Sequence, residues 1–259
     1  GPAQEVIVSN SNRNFYDTLY LNNNVVCTYR VPDLIAKTTL GTAISDHGIK
    51  VKTEYPTQVT MINYDYLRGG MTIVREFKQL GDEYMALSKI GNNPDIISIL
   101  AIRDCKVTVS PSVNTNYATQ PFTQILTKGE VITLTSHTQN KDGLSGTTVS
   151  FKNINTDFPI PGAVFINSNF ITNPQTSCCA DDMDHQEIPY KEWGTSYFVP
   201  IIKNVFNYLL QPRISDVKII AKTDGTIVKI QGQTHHLNKK EIIEYALQTE
   251  ALVPSNYPI

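Results

Sequence analysis

Residues 126–135, with the sequence LTKGEVITLT, decide the fold class of this chain. After its glycine the stretch alternates in the way of a half-buried strand. It returns 111 positions later as LNKKEIIEYA, with Leu126, Lys128 and Glu130 matched by Leu237, Lys239 and Glu241. Helix propensity alone would make the second copy, within KKEIIEYALQTEAL, a helix. Because the first copy alternates like a strand, we predict that the second copy is a strand as well.

Two further pairs of segments indicate an internal repeat. LGDEYMAL at 80–87 returns as WGTSYFVP at 193–200, which matches Gly81 with Gly194 and Tyr84 with Tyr197. ISILAIRDCKVTVS at 97–110 returns as VKIIAKTDGTIVKI at 217–230, which matches Ala101 with Ala221 and Asp104 with Asp224. The offsets of 113 and 120 positions differ in the way that loop insertions produce.

A weaker echo reaches the N-terminal part of the chain. GIKVKTEYPTQVTMIN at 48–63 is similar to GTTVSFKNINTDFPIPGAVFIN at 146–167. We therefore predict an incomplete first β unit at 1–79, a second unit at 80–192 and a third unit at 193–259 that is truncated at its C-terminal end. The first unit lacks an opening strand, so we expect a longer native chain or a neighbouring strand at the open edge.

The remaining periodicity predicts an all-β protein. Short runs rich in Val, Ile, Thr and Tyr predict strands at 25–31, 48–52, 58–62, 97–102, 106–110, 131–135, 149–151 and 163–166. Turn residues recur about every ten positions, as in sandwiches. We predict repeated antiparallel β units packed as sandwiches, with a propeller-like ring as the alternative. At most one short helix is expected, near 201–211, before Pro212.

Composition narrows the classes of function. The 259 residues are 41% hydrophobic and 18% charged, with a net charge of −2, which excludes a disordered chain. The absence of a basic surplus argues against a nucleic-acid partner, and the apolar runs are too short for membrane insertion. Asn, Thr and Ser fill the polar positions, with 21, 27 and 15 residues.

The four cysteines are the disulfide candidates Cys27, Cys105, Cys178 and Cys179. Their spacing does not fit a zinc site, and buried free thiols are the alternative to bridges. A bridge between the adjacent Cys178 and Cys179 would strain the backbone. We therefore favour bridges from one or both of them to Cys27 or Cys105, with the connectivity left open.

No catalytic or metal site is predicted. CCADDMDHQE at 178–187 gathers ligand types for a divalent cation, but it has neither EF-hand nor HExxH spacing, so we interpret it as a polar loop. His235 and His236 are interpreted as turn residues. GxSxG, GxGxxG and P-loop motifs are absent, so we predict no cofactor and no enzyme activity. A metal-dependent enzyme that uses the acidic segment is a minor hypothesis.

Two aromatic and polar stretches are the candidates for ligand binding. NSNRNFYDTLYLNNN at 10–24 contains Tyr16 and Tyr20, and SVNTNYATQPF at 112–122 contains Tyr117 and Phe122. Rigid tyrosine rings among Asn, Ser and Thr are typical of loop-built binding surfaces, and exposed tyrosine also suits stacking on a glycan. We interpret both stretches as candidate recognition loops, with ordinary solvated loops as the alternative.

Taken in order, several motifs resemble the N-terminal domain family of IgGFc-binding proteins, best known from the mucin-associated Fc-gamma-binding protein. They are the Gly81 to Tyr84 strand start, the Asp104 to Val109 strand pair, LTKGE, DGLSGTTV and the segment CCADDMDHQEIPYKEWGTSYFVP. In the last segment the family pattern is matched by Asp184, His185, Glu187, Pro189, Trp193, Gly194, Thr195, Tyr197 and Pro200. The adjacent Cys178 and Cys179 depart from the family, which more often spaces two cysteines apart.

The resemblance implies a secreted or cell-surface recognition module of adhesion or innate defence, without catalytic activity. Asp184, His185, Trp193, Gly194 and Tyr197 then belong to a structural family motif. IgG is not predicted as the ligand, and we expect a protein or glycan partner. The alternative is a self-associating building block of a bacterial or viral surface assembly.

Overall fold

The computed structural model describes residues 3–22, 25–36, 43–65, 68–89, 94–137, 143–172, 180–200, 215–247 and 249–259. The chain divides into two compact units, Gly1–Tyr190 and Lys191–Ile259. The three β units at 1–79, 80–192 and 193–259 are not tested by this division into two units, and their boundaries remain a prediction.

The first unit is built from short strands. They are β1 (Gln4–Asn10), β2 (Phe15–Leu21), β3 (Ile44–Ser45), β4 (Lys50–Thr53), β5 (Val59–Asp65), β6 (Arg68–Val74), β7 (Glu83–Met85), β8 (Ile96–Leu100), β9 (Cys105–Ser110), β10 (Phe122–Leu126), β11 (Val131–Thr135), β12 (Thr148–Lys152), β13 (Ala163–Thr172) and β14 (Ala180–Gln186). The helical segments are α1 (Asp33–Ala36) and the 3-10 turns Ser11–Arg13, Phe77–Gln79 and Tyr190–Glu192.

Two antiparallel sheets enclose the core of the first unit in a sandwich-like arrangement. Their strand orders are β10-β9-β12-β7 and β14-β13-β8-β11-β3. In β9 the buried Val107 and Val109 alternate with the half-buried Thr108, because successive side chains of a strand point to opposite faces. Ile97, Ile99, Val164 and Ile166 fill the core from the second sheet. The prediction of packed antiparallel β units is confirmed, and the strands in the described ranges form no closed barrel.

The second unit repeats the arrangement with fewer strands. They are β15 (Ser196–Val199), β16 (Ser215–Ile220), β17 (Thr226–Ile230), β18 (Gln233–Leu237), β19 (Ile242–Leu247) and β20 (Ala251–Pro254). β15 pairs with β20, β16 with β19 and β17 with β18, all antiparallel. Ile219, Val228, Ile230 and Val253 lie in its separate core.

One hydrogen-bond motif, here called the hydroxyl bridge, occurs in both units. In the first unit the backbone N–H of Gly81 donates to the hydroxyl of Tyr84 at 2.9 Å, and this hydroxyl donates to the carbonyl of Gly162 at 2.7 Å. In the second unit the N–H of Gly194 donates to the Tyr197 hydroxyl at 2.6 Å, which donates to the carbonyl of Ile259 at 2.8 Å. The Gly-x-x-Tyr sequence therefore fixes the start of β7 and of β15 in the same way.

A repeated turn joins β10 to β11 and β18 to β19. Asp104 Oδ1 accepts from the backbone N–H of Lys128 at 2.8 Å, and Asp224 Oδ1 accepts from that of Lys239 at the same distance. The turn needs a left-handed residue, which is Gly129 with φ 88° in the first unit and Lys240 with φ 68° in the second. The second copy of the repeat, 242–247, is a strand, which confirms the prediction against helix propensity.

Four sequence-based expectations are wrong. His235 and His236 are not turn residues, because both lie on strand β18. Residues 25–31 form no strand, and Val26 is 94% exposed, because β-branched residues need a pairing partner that this segment does not find. The supposed recognition loop 10–24 contains strand β2, and the supposed acidic loop contains strand β14. The helix expected near 201–211, together with Cys178 and Cys179, lies outside the described residues.

We predict that Tyr84→Phe lowers the free energy of unfolding of the first unit by about 1–3 kcal/mol, because it leaves a buried N–H and a buried C=O without their partner. Tyr84 is fully buried, and burial raises its pKa to about 12. The more exposed bridge of the second unit makes Tyr197→Phe cost roughly 1 kcal/mol or less. Urea denaturation measures both changes. Tyr245→Phe is the control, because no hydrogen bond of its hydroxyl is found among the described residues, and an equal loss there would contradict the prediction.

Candidate functional site

The three-stranded sheet with the order β2-β1-β4 has one face that is exposed. Val6 and Val8 of β1 point inward and are buried. The alternate residues of β1 and the residues paired with them point outward. We call this outward surface the tyrosine face; it consists of Glu5, Ile7, Ser9, Tyr16, Thr18, Tyr20, Lys50 and Lys52.

The register of the sheet sets the geometry of the tyrosine face. Ser9 lies between Tyr16 on β2 and Lys50 on β4, and Ile7 lies between Thr18 and Lys52. Tyr16 and Tyr20 are four residues apart on one strand, which separates them by about 13 Å. They are 64% and 70% exposed. Both rings therefore stand on the same side of the sheet and are open to a ligand.

A network of hydrogen bonds fixes the turn between β1 and β2. The side chain of Asn10 accepts from the backbone N–H groups of Asn12 and Arg13. The Arg13 guanidinium donates to Asp46 Oδ1 at 2.7 Å and to the carbonyl of Leu34 at 2.6 Å. The hydrogen bond from Arg13 holds the pKa of Asp46 below its ordinary value. The turn is thereby tied to two other parts of the unit, which gives Tyr16 a rigid support.

The segment after β2 is attached to the reverse side of that strand. Tyr29 donates a hydrogen bond of 2.6 Å to Asp17, which alternates with Tyr16 along β2 and so faces the other way. This hydrogen bond, together with desolvation, raises the pKa of Tyr29 to about 12. The attachment leaves the tyrosine face uncovered.

The structure separates the other two predicted ligand-binding residues from this face. The rings of Tyr117 and Phe122 pack on each other with centroids 4.6 Å apart, and both contact the core of the first unit. The Tyr117 hydroxyl donates to Gln124 Oε1 at 3.2 Å. These contacts favour a packing role, and ligand binding by Tyr117 and Phe122 stays a prediction.

Asp184 and His185 of the predicted family motif lie on β14 and not in a loop. The Asn167 side chain donates to Asp184, and burial raises the pKa of the Asp184 carboxyl above its ordinary value. A Cβ atom on Gly70 would lie 2.5 Å from Asp184 Oδ2, so only glycine fits beside this carboxylate. The hydrogen bond therefore joins β14 to β13, and Gly70 allows β6 to lie close against β14.

His185 forms an ion pair with Glu187 on the same segment. His185 Nε2 lies 3.1 Å from Glu187 Oε1, which also accepts from the backbone N–H of Leu87 at 2.7 Å. Burial alone would lower the pKa of His185, but the hydrogen bond to Glu187 and its charge raise the pKa above 6.5. Glu187 thus links β14 to the residues after β7.

Trp193 and Gly194, the remaining motif residues, lie directly before β15. Trp193 is half-buried, and Gly194 is the donor in the hydroxyl bridge to Tyr197. In the described part of the chain no three His, Cys, Asp or Glu residues are arranged to hold a metal ion. The same residues include no helix long and apolar enough to cross a membrane.

The two described cysteines are free thiols in different surroundings. Cys27 is exposed, whereas Cys105 is packed in the core of the first unit, where burial raises its pKa to about 11. A bridge to Cys105 would require its partner to enter that core. The predicted pairing with Cys178 or Cys179 stays a prediction.

We predict a pH-dependent stability of the first unit from the His185–Glu187 pair. Because the folded pKa of His185 is raised, the pair contributes fully below the ordinary value near 6.5, and the contribution is lost as pH rises through the raised pKa. Glu187→Gln keeps an acceptor for Leu87 and removes the charge. Urea denaturation at a series of pH values should show that the free energy of unfolding of the parent protein declines as pH rises through the raised pKa, and that the variant lacks this decline. Parallel plots of unfolding free energy against pH for the two proteins would contradict the assignment. Asp184 is present in both proteins, so its contribution to the pH dependence cancels when the parent protein and the variant are compared.

The Gly-x-x-Tyr motifs, the repeated turn and the β14 cluster all lie in the part of the chain that matches a family model. The model, described as IgGFc binding protein, matches residues 70–259. No match is found among curated proteins or among solved structures. The matched range begins within β6, so the tyrosine face precedes it. As the sequence motifs predict, the chain belongs to the IgGFc binding protein family.

Proposed function

We propose that the protein is an extracellular, non-catalytic recognition module that binds a protein or glycan through the tyrosine face. Domains of this family occur in extracellular and mucin-associated proteins and are generally non-enzymatic. The observation that carries the proposal is the pair of exposed rings, Tyr16 and Tyr20, on one rigid strand. Exposed tyrosine on a fixed support contributes contact area at a small cost in conformational entropy.

The support beneath the rings strengthens the proposal. A binding surface gains affinity when its side chains are already held in position before the ligand arrives. The Arg13 and Asn10 hydrogen bonds fix one end of β2, and the ladder to β1 fixes its whole length. Proteins commonly place such sites on a scaffold whose fold does not reveal the ligand.

We predict that Tyr16→Ser/Tyr20→Ser weakens binding to immobilised mucin glycoprotein about tenfold or more, because both stacking rings are lost. Biolayer interferometry measures the affinity, and thermal unfolding checks that stability is unchanged. Tyr257→Ser, which removes a tyrosine exposed to 45% in the second unit, is the matched control. Unchanged binding by the double variant would refute the proposed site.

Tyr117→Ala should act differently and lower stability, since its ring packs on the core.

A second candidate function, self-association, has a specific observation in its favour. On the β5–β6 hairpin, Ile62 is paired with Met71, and Ile73 lies on the same face, two residues along β6. These three side chains are 57%, 68% and 60% exposed. Ile166, the sequence counterpart of Ile62, is buried in the core. Adjacent exposed apolar residues are typical of interaction surfaces, and a second copy of the chain would cover them.

We predict that, in the case of self-association, Met71→Lys/Ile73→Lys converts a dimer or larger assembly to a monomer, because two ammonium groups would be desolvated at the contact. Size-exclusion chromatography with light scattering, run at two protein concentrations, measures the mass. A parent protein that stays monomeric at the higher concentration would exclude this candidate function.

A further inference from the structure

We infer that the tyrosine face binds an anionic glycan chain, which lies along the strands between the tyrosines of β2 and the lysines of β4. This inference rests on the proposed function and specifies its ligand class. It follows from the arrangement of the two rows of side chains, from their charge and from the way the sheet uses its backbone groups.

The two rows form the walls of a shallow trough. Tyr16 and Tyr20 stand on β2, and Lys50 and Lys52 stand on β4, with β1 between the two strands. Two strand spacings place the rows about 10 Å apart. The floor between them consists of the short Ser9 and the half-buried Ile7. A linear ligand that runs parallel to β1 would touch both rows at once.

The charge of the trough favours an acidic ligand. Lys50 and Lys52 are exposed, and within the described residues neither of them forms an ion pair. The whole chain has a net charge of −2, so these two cations are a local feature and not part of a basic protein. Glu5 is the one acidic residue of the face, and it is paired with Tyr20, away from Lys50. Carboxylate or sulfate groups at the β4 wall would form charge-assisted hydrogen bonds.

The chemistry of the face favours sugar rings over a peptide. The N–H and C=O groups of β1 are used in the ladders to β2 and β4, so a peptide that lies over β1 between the two rows cannot bind there through its backbone. An exposed tyrosine ring offers a flat apolar surface and a polar hydroxyl at its edge. A sugar ring has the complementary form, with C–H groups on its faces and hydroxyls around its rim. Single-stranded nucleic acid would need a more extensive basic groove than two lysines.

The test measures the binding of three size-matched oligosaccharides to the full chain by isothermal titration calorimetry. A heparin fragment carries sulfate and carboxylate groups, a hyaluronan fragment carries carboxylates alone, and a chitin fragment is neutral. We expect one or both anionic fragments to bind, the neutral fragment to bind at least tenfold more weakly, and high salt to weaken the anionic binding. Binding by the heparin fragment alone would assign the recognised anion as sulfate. Equal binding of the heparin and hyaluronan fragments would assign it as carboxylate.

Variants connect this binding to the trough. Lys50→Ala/Lys52→Ala should lower the affinity for the anionic fragment about tenfold and reduce the salt dependence of its binding. Lys229→Ala/Lys239→Ala removes the same charge from exposed positions of the second unit and should leave the binding unchanged. Tyr16→Ser/Tyr20→Ser should weaken every fragment that binds. An equal loss of affinity for the anionic fragment in both lysine variants would show a non-specific charge effect and overturn the inference.

The outcomes separate this inference from the proposed function. If neutral and anionic fragments bind equally, or if a DNA oligonucleotide of equal charge competes as well as heparin, the anionic-glycan assignment is wrong. If the tyrosine variant loses mucin binding but no anionic fragment competes with mucin for the parent protein, the tyrosine face is still the binding site, and its ligand belongs to another chemical class. If the tyrosine variant keeps full mucin binding, the proposed function fails at this site.

Discussion

The buried hydroxyl of Tyr84 is the contact on which the arrangement of the first unit depends. It accepts from Gly81 and donates to Gly162, so it joins the residues before β7 to the residues before β13. A reciprocal backbone hydrogen bond, from Gly162 N–H to the Gly81 carbonyl, closes the junction at 2.9 Å. Because these polar groups are shielded from water, each needs its partner. β12 leads into this junction, and β13 leaves it to pair with β8 in the other sheet.

The second unit reuses this junction in a more exposed setting. Ile259 takes the part of Gly162, and its N–H donates to the Gly194 carbonyl at 3.0 Å. The repeated Asp–Lys turn joins other strands, β10 to β11 in the first unit and β18 to β19 in the second. Internal repeats thus preserve the backbone hydrogen bonds of junctions and turns, while side chains elsewhere are free to change. The residues that make those contacts lie within the range that matches the family model.

The tyrosine face, for which we propose ligand binding, illustrates how different an outward surface can be. In the sandwich sheet, the outward positions of β9 carry Lys106, Thr108 and Ser110, an ordinary polar surface. In the three-stranded sheet, the outward positions carry two tyrosines and two lysines that form no ion pair with any residue the structure describes. Two acidic residues near the end of β14 are used differently: Asp184 on β14 accepts from the Asn167 side chain, and Glu187, just after β14, accepts from the Leu87 N–H. Both of these carboxylates are buried and are used in internal hydrogen bonds.

The sequence by itself determined the all-β class, the repeat and the strand nature of 242–247, because alternation and repeated turn residues are local properties of the chain. It also supplied the motifs that identify the family. Only the tertiary structure decided that 25–31 is not a strand and that Tyr16 and Tyr20 stand on a strand face beside Lys50 and Lys52. The physical reason is that alternation gives a strand two faces without saying which is covered. That choice depends on pairing between β1 and β4, which lie some forty residues apart in the chain.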